Sequence, residues 1–133
     1  HVVDDPSGTP INKKVSASNI FNYIPTWLGL AQTSQLITAD GSSATAINVT
    51  TAVTEINATS ATHSGALADG TAGQIKTIIN TSTSGTNAVT ITPASRGGYS
   101  TIVLDKPGES VTLIFKNSKW YVIAEGFGAT VNA

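Results

Sequence analysis

Along most of the chain, apolar and polar residues alternate over short stretches instead of recurring every three or four positions. A period of two is typical of a β-strand, because successive side chains of a strand point to opposite faces of the sheet. After residue 30 no stretch of useful length shows helical periodicity. We therefore predict nine strands, at residues 35–39, 46–50, 51–57, 64–68, 74–80, 88–92, 100–105, 110–116 and 119–125.

Pairs of turn-forming residues separate these strands, among them Asp40-Gly41, Asp69-Gly70 and Pro107-Gly108. Short strands that recur every ~8–12 residues with such breaks are typical of sandwiches and barrels. The pattern therefore predicts an all-β fold, an antiparallel β-sandwich or barrel-like domain over residues 31–133.

The last two predicted strands form the clearest local unit, a hairpin around Asn117-Ser118, because Asn accepts the positive φ that a two-residue loop requires. Both faces of this hairpin are apolar, so one face fits a core and the other also needs cover. We predict that Ile114, Tyr121 and Ile123 lie at or near a subunit boundary, while cover from other parts of the same subunit stays open as an alternative. The predicted pairs are Phe115 with Trp120, Leu113 with Val122 and Val111 with Ala124 on one face, and Ile114 with Tyr121 and Thr112 with Ile123 on the other.

The first thirty residues differ from the rest and predict a docking segment, residues 1–30. Turn formers fill residues 4–10, which favours a small hairpin between Val2-Val3 and residues 11–15, and a short helix is predicted over residues 20–24 up to Pro25. The segment then carries an apolar cluster that either docks against a partner or packs under the chain's own β-domain, and we favour the partner. The cluster consists of Phe21, Tyr23, Ile24, Trp27 and Leu28. Since the chain starts at His1 and not at Met, we expect further residues to precede it.

Composition narrows the classes of function. Charged residues make up 11% of the chain, against roughly 25% in an ordinary domain, and the formal net charge is −1 with the basic residues scattered singly. A nucleic-acid partner is therefore not expected, because it usually requires a basic patch. No apolar run reaches the ~18 residues of a membrane span, so no membrane association is expected either. Instead the chain holds 20 Thr and 14 Ser, and Thr in particular fits the pleated, half-buried surface of a β-sheet. It contains no Cys, which excludes disulfides and thiolate metal sites.

The residue types that carry chemistry form no catalytic or metal-binding motif, so we predict no enzyme activity, no cofactor and no metal. The histidines are His1 and His63, and His63 is interpreted as a polar surface residue. Asp4-Asp5 matches no calcium loop and is interpreted as a solvated turn. The chain lacks the glycine-flanked serine of hydrolases, and no local motif signals a carboxylate pair for glycoside hydrolysis.

One loop, Arg96-Gly97-Gly98-Tyr99, combines a cation, glycines and an aromatic ring. These groups could contact a sugar or a carboxylate, but a flexible turn with a solvated arginine is the interpretation we favour.

Two stretches resemble parts of known phage proteins. Residues 2–19 resemble a recurrent N-terminal segment in structural proteins of tailed bacteriophages, especially aquatic ones, and the later stretch resembles a β-module of phage fibres and head decorations. The first reads Val2-Val3-Asp4-Asp5-Pro6-Ser7-Gly8-Thr9-Pro10 and then Asn12-Lys13-Lys14-Val15-Ser16-Ala17-Ser18-Asn19. The second includes Gly65-Ala66-Leu67-Ala68-Asp69-Gly70, Gly73-Gln74-Ile75-Lys76-Thr77-Ile78, Val89-Thr90-Ile91-Thr92-Pro93-Ala94 and Ser110-Val111-Thr112-Leu113-Ile114-Phe115-Lys116-Asn117-Ser118-Lys119-Trp120-Tyr121-Val122-Ile123. The resemblance implies a place on the virion surface and trimeric assembly, and it brings no catalytic residues.

Together these observations predict a non-enzymatic virion structural protein, a capsid decoration or cement protein assembled as a homotrimer. Its partners would be its own copies and other virion proteins such as the major capsid protein. The short chain and the lack of a fixed repeat favour decoration over a long fibre. The alternative is a tail-fibre or adhesin module that binds host-surface glycans. A fragment of a polysaccharide-degrading tailspike is a weaker third hypothesis, because no acidic pair is signalled.

Overall fold

The structure is a computed structural model, and it describes residues 2–3, 12–13, 32–39, 41, 43–59, 62–83, 85 and 87–133. The chain divides into two units, His1–Ala31 and Gln32–Ala133. In the first unit, β1 (Val2–Val3) pairs antiparallel with β2 (Asn12–Lys13). The helix predicted at 20–24 and the cluster of Phe21, Tyr23, Ile24, Trp27 and Leu28 lie outside the described residues.

The described part of the second unit is all-β, as the alternation predicts, and contains no helix. All nine predicted strands are present, with ends that differ by up to three residues from the prediction. A tenth, short strand at the end of the chain was not predicted. The strands are β3 (Ser34–Ala39), β4 (Thr45–Ile47), β5 (Val53–Ala58), β6 (His63–Leu67), β7 (Ile75–Asn80), β8 (Val89–Pro93), β9 (Thr101–Leu104), β10 (Ser110–Lys116), β11 (Lys119–Gly126) and β12 (Thr130–Asn132).

These ten strands form two five-stranded sheets. Sheet 1 has the order β11-β10-β7-β5-β3, and sheet 2 has the order β12-β9-β8-β6-β4. From β3 to β8 the chain alternates between the sheets, so each new strand lies beside the strand two before it. The chain therefore winds as a coil whose turns each contribute one strand to either sheet.

The winding makes both sheets mixed, so the prediction of an antiparallel fold is wrong in this respect. Strands β3, β5 and β7 are parallel to one another, as are β4, β6 and β8. Antiparallel pairing begins only where β10 joins β7 and β9 joins β8. The reason is connectivity: a strand that crosses to the other sheet and back returns in its original direction, and side-chain alternation carries no information about that direction.

The core lies between the two sheets, which face each other as in a β-sandwich. Every second residue of the strands points inward, and the fully buried side chains come from both sheets. They include Ile56, Ile78 and Leu113 of sheet 1 and Leu67, Ile91, Ile102 and Leu104 of sheet 2. Gly65 of β6 marks a close approach, because a Cβ there would lie 2.7 Å from Cδ1 of Ile47.

The final hairpin follows the predicted register near its turn and departs from it farther away. Asn117 and Ser118 form the two-residue loop with φ of 50° and 57°. Phe115 faces Trp120, Leu113 faces Val122 and Ile114 faces Tyr121, as predicted. A bulge between Thr112 and Leu113 then shifts the register, so Thr112 faces Ala124 and Val111 faces Glu125. The predicted pairs of Val111 with Ala124 and of Thr112 with Ile123 are therefore wrong.

Candidate interaction surfaces

The outer side of sheet 1 carries a set of large apolar side chains that we call the apolar face: Ile75, Ile114, Tyr121 and Ile123. Three of them form a row across neighbouring strands, because Ile114 faces Tyr121 on one side and Ile75 on the other. Ile123 belongs to β11, in the segment where the bulge shifts the register. The structure thus brings the predicted residues Ile114, Tyr121 and Ile123 together on one strand pair and adds Ile75, which the sequence analysis did not single out.

Accessibility differs along the apolar face. Ile114 and Tyr121 are half-buried, while Ile75 is 53% and Ile123 54% exposed. Along the same strands, Thr77 faces Thr112 on one side of the row, and the exposed Lys116 faces Lys119 on the other. The four apolar side chains themselves carry no charge. An uncharged, partly exposed set of this kind is suited to contact with another surface.

The outer side of sheet 2 differs in the size of its side chains. Its exposed or half-buried strand positions are small residues, among them Ser64, Ala66, Thr90, Thr92 and Val103. In the described part of the chain, large exposed apolar residues of the strands therefore belong to sheet 1.

Trp120 anchors the hairpin from the core side of the same strand. Its side chain is fully buried, and its indole Nε1 donates a hydrogen bond to the backbone oxygen of Ala68 at 2.9 Å. The ring of Phe115 meets it edge-on, with centroids 5.1 Å apart. The indole also lies against Gly70, where a Cβ would be 2.8 Å from the ring. These contacts hold β11 in place and so set the position of Tyr121 on the opposite side.

The loop with Arg96 and Tyr99 does not present both groups to solvent. Arg96 is exposed and its guanidinium donates a hydrogen bond to the oxygen of Pro93 at 2.7 Å. Tyr99 packs against the core, and burial raises the pKa of its hydroxyl to about 12, although the charge of Arg96 acts in the opposite direction. Stacking on a sugar needs the exposed face of an aromatic ring, and the ring of Tyr99 is partly covered by the core. Gly97 lies close to the ring of Tyr121, because a Cβ at position 97 would be 2.3 Å from Cε1 of that ring.

His63 is buried, so its interpretation as a surface residue is wrong. It is 2% exposed, and its Nδ1 lies 2.9 Å from the oxygen of Gly41. Its Nε2 is buried without a protein partner. The reason is position: His63 opens β6 on the inward side of the strand, two residues before Gly65, which has the same parity. His63 lines a small cavity of about 150 Å³ together with Thr38, Ser43 and Thr45.

Lys76 is a buried titratable residue that the sequence analysis did not single out. It is fully buried in β7, where its Nζ donates hydrogen bonds to the backbone oxygen and to Oγ1 of Thr51 at 2.8 and 3.0 Å. Burial lowers its pKa to about 8. The alternation of β7 could have revealed it, because Lys76 shares the parity of Ile78 and Asn80, which are also buried.

The described residues hold no cluster of three or more His, Cys, Asp or Glu side chains that could bind a metal ion. No helix in that part of the chain is long and apolar enough to cross a membrane. No protein-family model matches the sequence, and a search of curated proteins finds no match.

Proposed function

We propose that the protein is a non-enzymatic structural component of a tailed-phage virion, a capsid decoration or cement protein that assembles as a homotrimer. The observation that carries the assembly part is the apolar face, which places large uncharged side chains on the outer side of a rigid sheet. The virion surface as its location rests on the resemblance of residues 2–19 and 65–123 to phage structural proteins.

Rigidity supports this role, because a protein that reinforces a shell must keep its contact surfaces in fixed positions. The strands that carry the apolar face, β7, β10 and β11, are joined by antiparallel ladders, with one bulge between β10 and β11, and Trp120 anchors β11 to the backbone of Ala68. Burying Ile75 and Ile123 between subunits would remove apolar area from water, at about 25 cal/mol per Å².

The trimer is tested by measuring the mass of the protein with light scattering at micromolar concentration. We expect the parent to have the mass of three chains and Ile114→Glu to have the mass of one, because the variant would place a charged carboxylate in the apolar contact between subunits. Thr130→Glu places the same change on an exposed position of sheet 2 and should keep the trimer. A monomeric parent, or a folded Ile114→Glu variant that stays trimeric, would contradict the proposal.

The place on the virion is tested by counting the copies of the chain per particle. Hundreds of copies are expected for a decoration protein, and a few to some tens for a fibre. The tail-fibre or adhesin alternative predicts the lower number together with binding to host-surface glycans. The packing of Tyr99 against the core gives this alternative less support than the exposed loop expected from the sequence.

A further inference from the structure

Each of the two sheets has two edge strands: β11 and β3 in sheet 1, and β12 and β4 in sheet 2. Three of these four edges are protected from pairing with another chain. An unprotected edge exposes a row of N–H and C=O groups that can pair with another chain. On β11, the backbone of Trp120 already bonds to the loop that follows β8. Its N donates to Ser95 O and its O accepts from Gly97 N, each at 2.9 Å. Lys119, Glu125 and the bulge protect the rest of that strand. On the other sheet, β12 has only three residues.

The edge of β4 is capped by a side chain. Gln35 Nε2 donates to the backbone oxygen of Ala46 at 3.2 Å, and its Oε1 accepts from the backbone N of Asn48 at 2.9 Å. The carboxamide thus takes the position of a peptide group in a neighbouring strand. These two backbone groups are therefore already hydrogen-bonded and cannot pair with a strand of another chain.

The edge of β3 has no such protection in the described residues. Thr33 O and Ala39 O accept from Val53 N and Thr59 N of the β5 side, at 3.4 and 2.7 Å. Because the direction of the backbone groups alternates along a strand, Ser34, Leu36 and Thr38 direct their N–H and C=O groups to the opposite side. No described strand lies there. β3 contains no charge, no proline and no bulge, and Leu36 on it is 65% exposed.

We infer that this edge pairs with β3 of a second copy of the chain, antiparallel, about a twofold axis that passes through Leu36. In this register Leu36 faces its own counterpart, and Ser34 faces Thr38. The strand is self-complementary, because a hydroxyl residue meets a hydroxyl residue and no like charges come together. A twofold contact of this kind uses the same patch on both copies. It would join two copies of sheet 1 into one continuous sheet.

This inference goes beyond the proposed trimer and does not depend on it. β3 and β11 are the two opposite edges of sheet 1, so an edge contact through β3 leaves the apolar face free. A single pair of short strands buries far less than the ~1,200 Å² of a stable interface. We therefore expect the contact to form at millimolar concentration or when copies are held side by side on a surface, and not at micromolar concentration.

The sharpest test uses the absence of cysteine. Residues that face each other as a hydrogen-bonded antiparallel pair have Cα atoms about 5.5 Å apart, within the range that a disulfide can bridge. We expect Leu36→Cys at millimolar concentration, oxidised with copper phenanthroline, to give a covalent dimer of chains. Ala72→Cys places an exposed thiol in a turn away from the edge and should give at most a minor amount of dimer. Equal cross-linking of the two variants would overturn the inference.

A second measurement detects the β3 contact without cross-linking, and it does so whether or not the protein is a trimer. Sedimentation velocity across the micromolar to millimolar range should show the parent doubling its mass, whatever its mass at low concentration. Leu36→Lys should abolish the doubling, because two ammonium groups would face each other. The variant should fold normally, since a lysine at this position would lie beside Glu55 of β5. A parent that never doubles, or a variant that still does, would show that another occupant or none covers the edge.

Discussion

Lys76 is a cation held inside the sandwich, with Thr51 as its hydrogen-bond acceptor and no carboxylate within ion-pair distance among the described residues. Burial disfavours the charged form, which is why its pKa falls from 10.5 to about 8. Below pH 8 the folded protein thus bears the cost of a buried charge that the unfolded chain does not bear.

The expected consequence is a free energy of unfolding that rises between pH 8 and pH 10. In this window the unfolded chain still binds the lysine proton and the folded chain has released it, so stability increases with pH, by at most about 1.4 kcal/mol per pH unit. Above pH 10 the raised pKa of Tyr99 acts in the opposite direction, since the unfolded tyrosine then loses its proton first. Urea unfolding at several pH values measures the trend.

Lys76→Met should flatten this pH dependence, because it removes the titrating group and keeps the apolar part of the side chain. Lys116→Met, at the exposed end of β10, is the matched control and should keep it. A parent whose stability stays constant or falls between pH 8 and pH 10 would show that the Lys76 ammonium is better solvated than its burial indicates.

Hydroxyl and amide side chains serve a structural purpose at other buried positions as well. Asn80 is fully buried, donates to the oxygens of Asn87 and Leu104 and accepts from the backbone N of Ser82. Asn87 in turn donates to the oxygen of Ala58 at 2.7 Å. Polar residues of this group connect loops that cross between the sheets, which is one reason why the chain can be rich in Ser, Thr and Asn and still form a closed core.

At the level of elements, the hairpin of β10 and β11 was predictable because its determinants are local. A two-residue loop and the alternation of its strands define the register within a few residues of the turn. The bulge between Thr112 and Leu113 was not predictable in the same way. It lies away from the turn, toward the end of the hairpin where Gly126 is so close to Ser110 that a Cβ on Gly126 would be 2.2 Å from the Ser110 Oγ.

The loop of this hairpin offers a direct test, because Ser118 has a positive φ of 57°. Ser118→Gly should raise the free energy of unfolding by about 0.5–1 kcal/mol, since a left-handed conformation costs a side chain more than it costs glycine. Ser118→Val, which is β-branched, should lower it. Chemical denaturation of both variants measures the difference, and a glycine variant less stable than the parent would contradict the role assigned to the turn.

At the level of the whole molecule, the sequence predicts a docking segment at residues 1–30, and we propose that it attaches the protein while the remainder projects. Among the described residues, the buried core cluster lies within Gln32–Ala133. We therefore expect a chain without residues 1–30 to fold and to remain soluble, and to lose binding to particles that lack the protein. Circular dichroism and a particle co-sedimentation assay measure the two properties.

The three outcomes of this deletion are distinct. Loss of binding by a folded domain supports the docking role of Phe21, Tyr23, Ile24, Trp27 and Leu28. Undiminished binding would move that role to another surface. Failure to fold would mean that the cluster belongs to the core, which is the second interpretation that the sequence left open.

From the sequence we could predict the all-β class, the approximate positions of nine strands, the final turn and the hydrophobic pairs nearest to that turn. These features depend on residues that are close in sequence, so the alternation of apolar and polar residues and the positions of turn residues predict them directly. The tertiary fold was needed to establish the winding between two sheets, the parallel pairing, the burial of His63 and the placement of Thr51 beside Lys76. Each of these depends on which strand lies beside or opposite a residue, and the successive turns of this coil differ in length: Ser34 lies beside Val53, and Val53 beside Thr77. Without a constant repeat, the sequence contains no period from which such neighbours can be inferred.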